Sequence, residues 1–227
     1  MMEKKVVVGA FQCNCRLLLC TETGQAALVD PGDEADKILT MLSDAQNQID
    51  KPIQVNYLLH THAHLDHIGA TRAVREALAD TTCQVTPQIY LHQQDEGLYK
   101  QLKMQGQMMG FQYQDPLPVD HYFEDEQILL VGNIKMTVMH TPGHSPGSCC
   151  FRMHEDSATE TWESLYSGDT LFQLSVGRTD FPGGDHRTLV KSIKQRIFPL
   201  DDDTRVCPGH GEDTTVGFEK RVNPFLN

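Results

Sequence analysis

One stretch limits this chain more than any other: Thr61-His62-Ala63-His64-Leu65-Asp66-His67. Three imidazoles and one carboxylate fall within six residues, in the pattern H-x-H-x-D-H. An apolar run, Val55 to Leu59, precedes it and reads as a buried strand; Ile68 to Val74 follows and reads as the start of a helix. A strand-to-helix junction needs no such density of ligand side chains for its own stability. Imidazole with carboxylate suits zinc, iron or manganese better than calcium or magnesium.

The rest of the chain narrows what such a cluster could serve. With 227 residues there is room for one large domain. Hydrophobic residues make up 39% and charged residues 22%, the balance of a soluble globular protein with a real core. No apolar run approaches the ~18 to 20 residues that cross a bilayer. The opening Met1 to Val8 has too short an apolar part for a secretory signal and reads as a first strand, so a cytoplasmic location is expected. A formal net charge of −12 repels phosphate backbones and argues against nucleic acid as a partner. It leaves a small anionic substrate open, because bound metal ions reverse the sign locally. Seven cysteines with no C-x-x-C spacing point to reduced, buried thiols. Cys149 and Cys150, adjacent on a strand, face opposite sides.

In chain order, strands are expected over 6–11, 16–20, 26–30, 55–59, 89–91, 127–131, 134–140, 148–153 and 204–207. Helices are expected from Asp33, as N-cap, to Asn47, from Ile68 to Ala79, over 94–110, from Asp185 to Phe198 and over 214–220. The methionines of the third helix, Met104, Met108 and Met109, read as core filling before anything else. A wall of the cleft built from them and Phe111 to Tyr113 is the alternative. Glu155 to Glu163 reads as an exposed polar turn.

Three later motifs share one form, a His or Asp beside glycine just past a strand: Pro142-Gly143-His144, Gly168-Asp169 and Pro208-Gly209-His210-Gly211. Glycine admits the backbone that aims a side chain back into a cleft. Each alone is bland; the four in this order are specific. The other six of the eleven histidines, at 60, 92, 121, 140, 154 and 186, have no such context and read as ordinary.

With these motifs the chain resembles the metallo-β-lactamase superfamily, and within it the short bacterial glyoxalase II (hydroxyacylglutathione hydrolase) branch. Gly177-Arg178-Thr179-Asp180-Phe181 and Asn223-Pro224-Phe225 add to that resemblance. It implies an α/β fold, an αββα sandwich of two mixed sheets flanked by helices, as a single domain over 1–227. Only 17 residues follow His210, so the C-terminal helical domain of full-length glyoxalase II is expected to be lacking. The resemblance further implies two divalent metal ions, zinc first with iron or manganese also suited. His62, His64 and His144 would hold one; Asp66, His67 and His210 the other; Asp169 would bridge them. An aspartate rather than a cysteine at position 66 separates the chain from many β-lactamases.

The implied chemistry is hydrolysis of a small-molecule thioester such as S-D-lactoylglutathione, through a hydroxide between the metals, in methylglyoxal detoxification. Asp66 and Asp169 would be the catalytic carboxylates, and Arg178 a substrate contact. A persulfide dioxygenase with one iron on the same fold is the alternative enzyme. A metal-stabilised binding module is the alternative outside enzymes, disfavoured because structural zinc sites are closed and four-coordinate.

Overall fold

The strand Cys13–Leu19 is buried at every position and Gln25–Val29 at all but its first, so both need cover on both faces. In the computed structural model, which describes residues 1–79, 85–156 and 161–226, two six-stranded mixed sheets meet that need. The first carries β1 (Met2–Val8), β2 (Cys13–Leu19), β3 (Gln25–Val29), β4 (Gln54–Leu59), β5 (Gln88–His92) and β6 (His121–Phe123) in that order. The second comprises β7 (Ile128–Val131), β8 (Ile134–His140), β9 (Cys149–Asp156), β10 (Thr161–Gly168), β13 (Arg205–Pro208) and β14 (Thr214–Thr215). A small pair, β11 (Leu171–Phe172) and β12 (Ser175–Val176), stands apart. β3 to β6 run parallel, and β10 runs parallel to β13; the other pairings are antiparallel.

The two-residue period of a strand sorts neighbouring side chains into three cores. Leu18, Ala27, Val29, Cys149, Phe151 and Cys207 pack between the sheets. Leu17, Leu19, Ala26 and Leu28 point outward onto α1 (Ala35–Gln46) and α3 (Thr71–Ala79). Cys150, Leu165 and Val206 point outward on the other side. There Leu189 of α6 (His186–Ser192) and Ile193 and Ile197 of the π-helical turn after it cover them. Three cores between four layers are the αββα sandwich. Cys149 and Cys150 fall into different cores, as their adjacency requires. The six described cysteines are all free and buried. Among the described residues, no helix is long and apolar enough to cross a membrane.

Helices differ from expectation in informative places. The helix expected from Ile68 is two: α2 (Leu65–Ile68) takes in the second half of the metal-ligand cluster, and α3 follows. Between them the Ala70 N–H leaves the helical ladder and donates to the carbonyls of Pro31 and Gly32 at 3.1 Å each. The helix expected over 94–110 is also split, into α4 (Glu96–Lys100) and α5 (Leu102–Met109), after a 3-10 turn at Gln93–Asp95. Asp33 does not cap α1. Glu34 holds the N-cap position at φ 46°, and the Asp33 carboxylate accepts from the Glu34 N–H at 2.7 Å. Asp185 does cap α6, accepting from the Thr188 N–H at 2.7 Å. The polar segment 155–163 is the tip of the β9–β10 hairpin, with 157–160 outside the described residues.

Candidate metal centre

The ends of four strands deliver the candidate ligands to one rim of the sandwich. After β4 the chain runs extended through His64 (ψ 150°) and then turns into α2. His62 and His64 therefore leave from extended backbone, while Asp66 and His67 leave from the helical turn. After β8 comes His144, after β10 Asp169, and after β13 His210. The β10–β13 register slips between Tyr166 and Gly168, a bulge that redirects the chain just before Asp169. Gly168 has φ +48°, and a Cβ there would run into the Thr61 side chain. A Cβ at Gly209 would lie 2.5 Å from Asp169 Oδ1 and 2.7 Å from the His67 ring.

The seven residues converge. His144 Nε2 lies 3.1 Å from His62 Nε2 and 2.8 Å from His64 Nδ1. His210 Nε2 lies 3.2 Å from both His67 Nε2 and Asp66 Oδ2. Asp169 reaches both sets: Oδ2 is 3.5 Å from His144 Nε2, and Oδ1 is 3.4 Å from His67 Nε2. Within each set, His62/His64/His144 and Asp66/His67/His210, the ligand atoms lie within 4.8 Å of one another, close enough to hold one metal ion.

The surroundings fix which nitrogen is free in four of the five rings. His144 Nδ1 faces the Arg178 carbonyl at 2.7 Å, and His210 Nδ1 faces the Gln12 carbonyl at 3.3 Å. His67 Nδ1 faces Asp30 Oδ2 at 3.0 Å. Carbonyls and carboxylates only accept, so these nitrogens carry the proton and donate. His62 Nδ1 donates to Thr61 Oγ1 at 3.1 Å, since that hydroxyl gives its own proton to Asp30 Oδ2 at 2.7 Å. In the neutral rings the Nε2 lone pairs of His62, His67, His144 and His210 are thus turned inward on one another, with Nδ1 of His64 facing Nε2 of His144. Asp169 Oδ1 is buried and has no hydrogen-bond partner. Lone pairs crowded together beside an orphaned carboxylate oxygen are what a cation satisfies, so the donor set fits divalent metal.

Charge divides the site into unlike halves. Burial, then the charges of His67, His144 and His64, push His62 well below its ordinary pKa. Burial and His144 push His64 down to about 3. Burial also opposes charge on His67, but Asp169, Asp66 and Asp30 surround the ring and raise it above its ordinary value. The Cys13 thiol beside it, pushed up to about 12 by burial, is neutral and adds no charge. His210 is raised too: burial is outweighed by its bond to Asp66 and by Asp169. Asp66, despite burial, is held below the carboxylate range by His67 and His210.

Sequence reading missed the residues that brace the ligands. Asp30 accepts from the Thr61 N–H at 2.8 Å as well as from the groups above. Its signal was a carboxylate beside Pro31-Gly32 at a strand end, the same form as Gly168-Asp169. Asp95, fully buried, accepts from the Ala63 and Gly147 N–H groups and the Ser145 hydroxyl, tying the His62/His64 loop to the His144 loop. Asn14 Nδ2 donates to the Pro208 and Gly211 carbonyls on either side of His210. Gln105 of α5 accepts from the Leu65 N–H and donates to the Ala63 carbonyl. Of Arg178, the carbonyl orients His144, while the exposed guanidinium pairs with Asp180 at 2.7 Å and lies 4.1 Å over the Phe181 ring.

Residues 8–210 match the metallo-beta-lactamase superfamily. The hydroxyacylglutathione hydrolase GloC of Haemophilus influenzae is 37% identical over 98% of this chain and 96% of its own. The solved structure of the B3 metallo-beta-lactamase BLEG-1 superposes with a TM-score of 0.82 at 36% identity, over 99% of both chains. That of TTHA1623 in a di-iron-bound form does so with a TM-score of 0.81 at 38% identity, over 98% of this chain and all of that one.

Proposed function

The chain belongs to the metallo-beta-lactamase superfamily, and from that premise we propose that it is a metal-dependent thioester hydrolase acting on S-D-lactoylglutathione or a related acyl thioester. The observation that carries the proposal is the set of inward-turned imidazole lone pairs around the unpartnered Asp169 Oδ1. Two divalent ions held there, zinc first and iron or manganese also suited, would supply Lewis acidity, lowering the pKa of a coordinated water toward ~7 and polarising a carbonyl oxygen.

The chain's own residues do the rest. His62, His64 and His144 form one donor set, Asp66, His67 and His210 the other, and Asp169 joins them. Asp66, ionised and only partly covered, orients the attacking water by accepting its hydrogen bond. The water oxygen bonds to the carbonyl carbon, the C–S bond breaks, and the products are a carboxylic acid and a thiol. A thiol with a pKa of ~8.5 leaves as thiolate without a separate proton donor, which suits a thioester better than an amide.

Metal content measured beside hydrolysis of S-D-lactoylglutathione, other thioesters and a β-lactam tests this. Two ions per chain with thioester turnover is the expected result. One iron per chain with oxygen consumed on glutathione persulfide would replace it with the dioxygenase. Turnover of the β-lactam alone would replace it with the activity named for BLEG-1.

A further inference from the structure

A cavity of about 510 Å³ opens over the metal centre, within the size range of small-molecule sites. One side of it is α5. Gln101, Met104, Gln105 and Met108 follow the i, i+3, i+4, i+7 spacing and line the cavity as one helical stripe. Met109 and Phe11 extend that side. Phe181 stands against His64 at a ring distance of 5.2 Å, and Phe172 against His210 at 6.2 Å, one at each end of the centre. The sequence expectation of buried core methionines fails here: Met104 is 49% exposed and Met108 77%. Apolar side chains left in water around a cavity mark a surface that binds something apolar.

The position of this wall is set by the metal loop itself. Gln105 bonds both Ala63 and Leu65, so the methionines beside it stand at a fixed place above His64 and Asp66. Methionine is flexible and polarisable and packs against apolar groups of varied shape. The side chains lining the cavity include no lysine and one arginine, Arg178, whose Nε and Nη2 already serve Asp180. A glutathione moiety carries two carboxylates, and the cavity holds no unpaired cation for them.

Resting on the thioesterase reading, we infer that the cavity takes the acyl arm of the substrate and that this arm is an apolar chain of several carbons, lying along Met104 and Met108. The thiol arms of common thioesters are polar, so only the acyl arm matches this wall. The lactoyl group, short and hydroxylated, leaves the methionine stripe uncovered.

Binding of two non-hydrolysable thioethers, S-methylglutathione and S-hexylglutathione, to the metal-loaded full chain separates the possibilities. The hexyl compound is expected to bind about tenfold tighter or more, the effect of burying roughly two of its added methylenes. In a Met104→Gln/Met108→Gln double variant that advantage should fall below about threefold, with S-methylglutathione binding unchanged. Both positions are exposed, so the variant should fold. Equal binding of the two compounds, or an advantage that survives the double substitution, overturns the inference. Hydrolysis of S-octanoylglutathione and S-D-lactoylglutathione is read alongside. Selective hexyl binding without turnover of either thioester would remove the hydrolase reading and leave an apolar binding site. Turnover of the lactoyl compound without hexyl selectivity would do the reverse.

Discussion

The two halves of the centre use the same kinds of side chain to opposite electrostatic effect. His62, His64 and His144 form a set of imidazoles alone; their mutual repulsion and burial keep His62 and His64 neutral well below neutral pH. His67 and His210 are interleaved with Asp66, Asp169 and Asp30, which raise both rings. His62 and His64 are ready for a cation at any physiological pH, whereas His67 and His210 hold their protons more tightly than free imidazoles do. Ligand type does not decide this, since both halves are mostly histidine. The carboxylates placed around the rings do.

The largest break in that comparison comes from the residue common to both halves. Asp169→Ala should lower turnover on the order of 10³-fold and reduce the metal content of both sets. Two ions per chain with turnover near wild type would show that the halves are independent. Next, Asp30→Asn removes the acceptor that fixes the His67 tautomer. Metal binding should weaken roughly 10–100-fold in the Asp66/His67/His210 set and less in the other, which Asp30 reaches only through the Thr61 hydroxyl, read by competition with a chelator of known affinity.

Acidification separates the halves without mutation. His67 and His210 sit above their ordinary pKa in the metal-free protein, so protons compete for them as pH falls through neutrality. His62 and His64 sit below it and do not. The ion of the carboxylate-rich half should leave first between pH 7.5 and 5.5, its affinity dropping about tenfold per pH unit for each proton taken up. Simultaneous loss in metal analysis across that range would contradict the division. Smaller still, Asp95→Asn leaves buried N–H groups of the His62/His64 and His144 loops facing an amide. Denaturant unfolding should show a loss of about 1–3 kcal/mol, with the other half's metal affinity unchanged. Arg178→Ala should leave the melting temperature where it is. If the guanidinium touches substrate, KM rises a few-fold with kcat steady; an unchanged KM would confine residue 178 to its carbonyl's hold on His144.

The seven candidate ligand positions were legible because four of them form a dense cluster at a strand end and the other three each sit beside a glycine. The sandwich itself rested on the resemblance; periodicity gave strands and helices but not their layers. What stayed hidden depends on contacts distant in sequence. Asp95 is an unmarked residue in an ordinary segment, and only folding brings it to Ala63 and Gly147. The split between α2 and α3 arises because Pro31 and Gly32 offer better-placed carbonyls to Ala70 than the helix does. The methionines of α5 carry the right helical spacing for a core, and spacing alone does not say which side of a helix meets protein and which meets solvent.

Asn14, near the start of the chain, clasps the loop that carries His210, 194 residues away at Pro208 and 197 at Gly211. A ribosome makes Asn14 long before His210. Until residue 210 has been made, therefore, the nascent chain can gather His62, His64 and His144 but lacks the last donor of the other set. The candidate centre closes only when the loop of His210 meets Asn14, so its completion waits on a contact made across 194 residues.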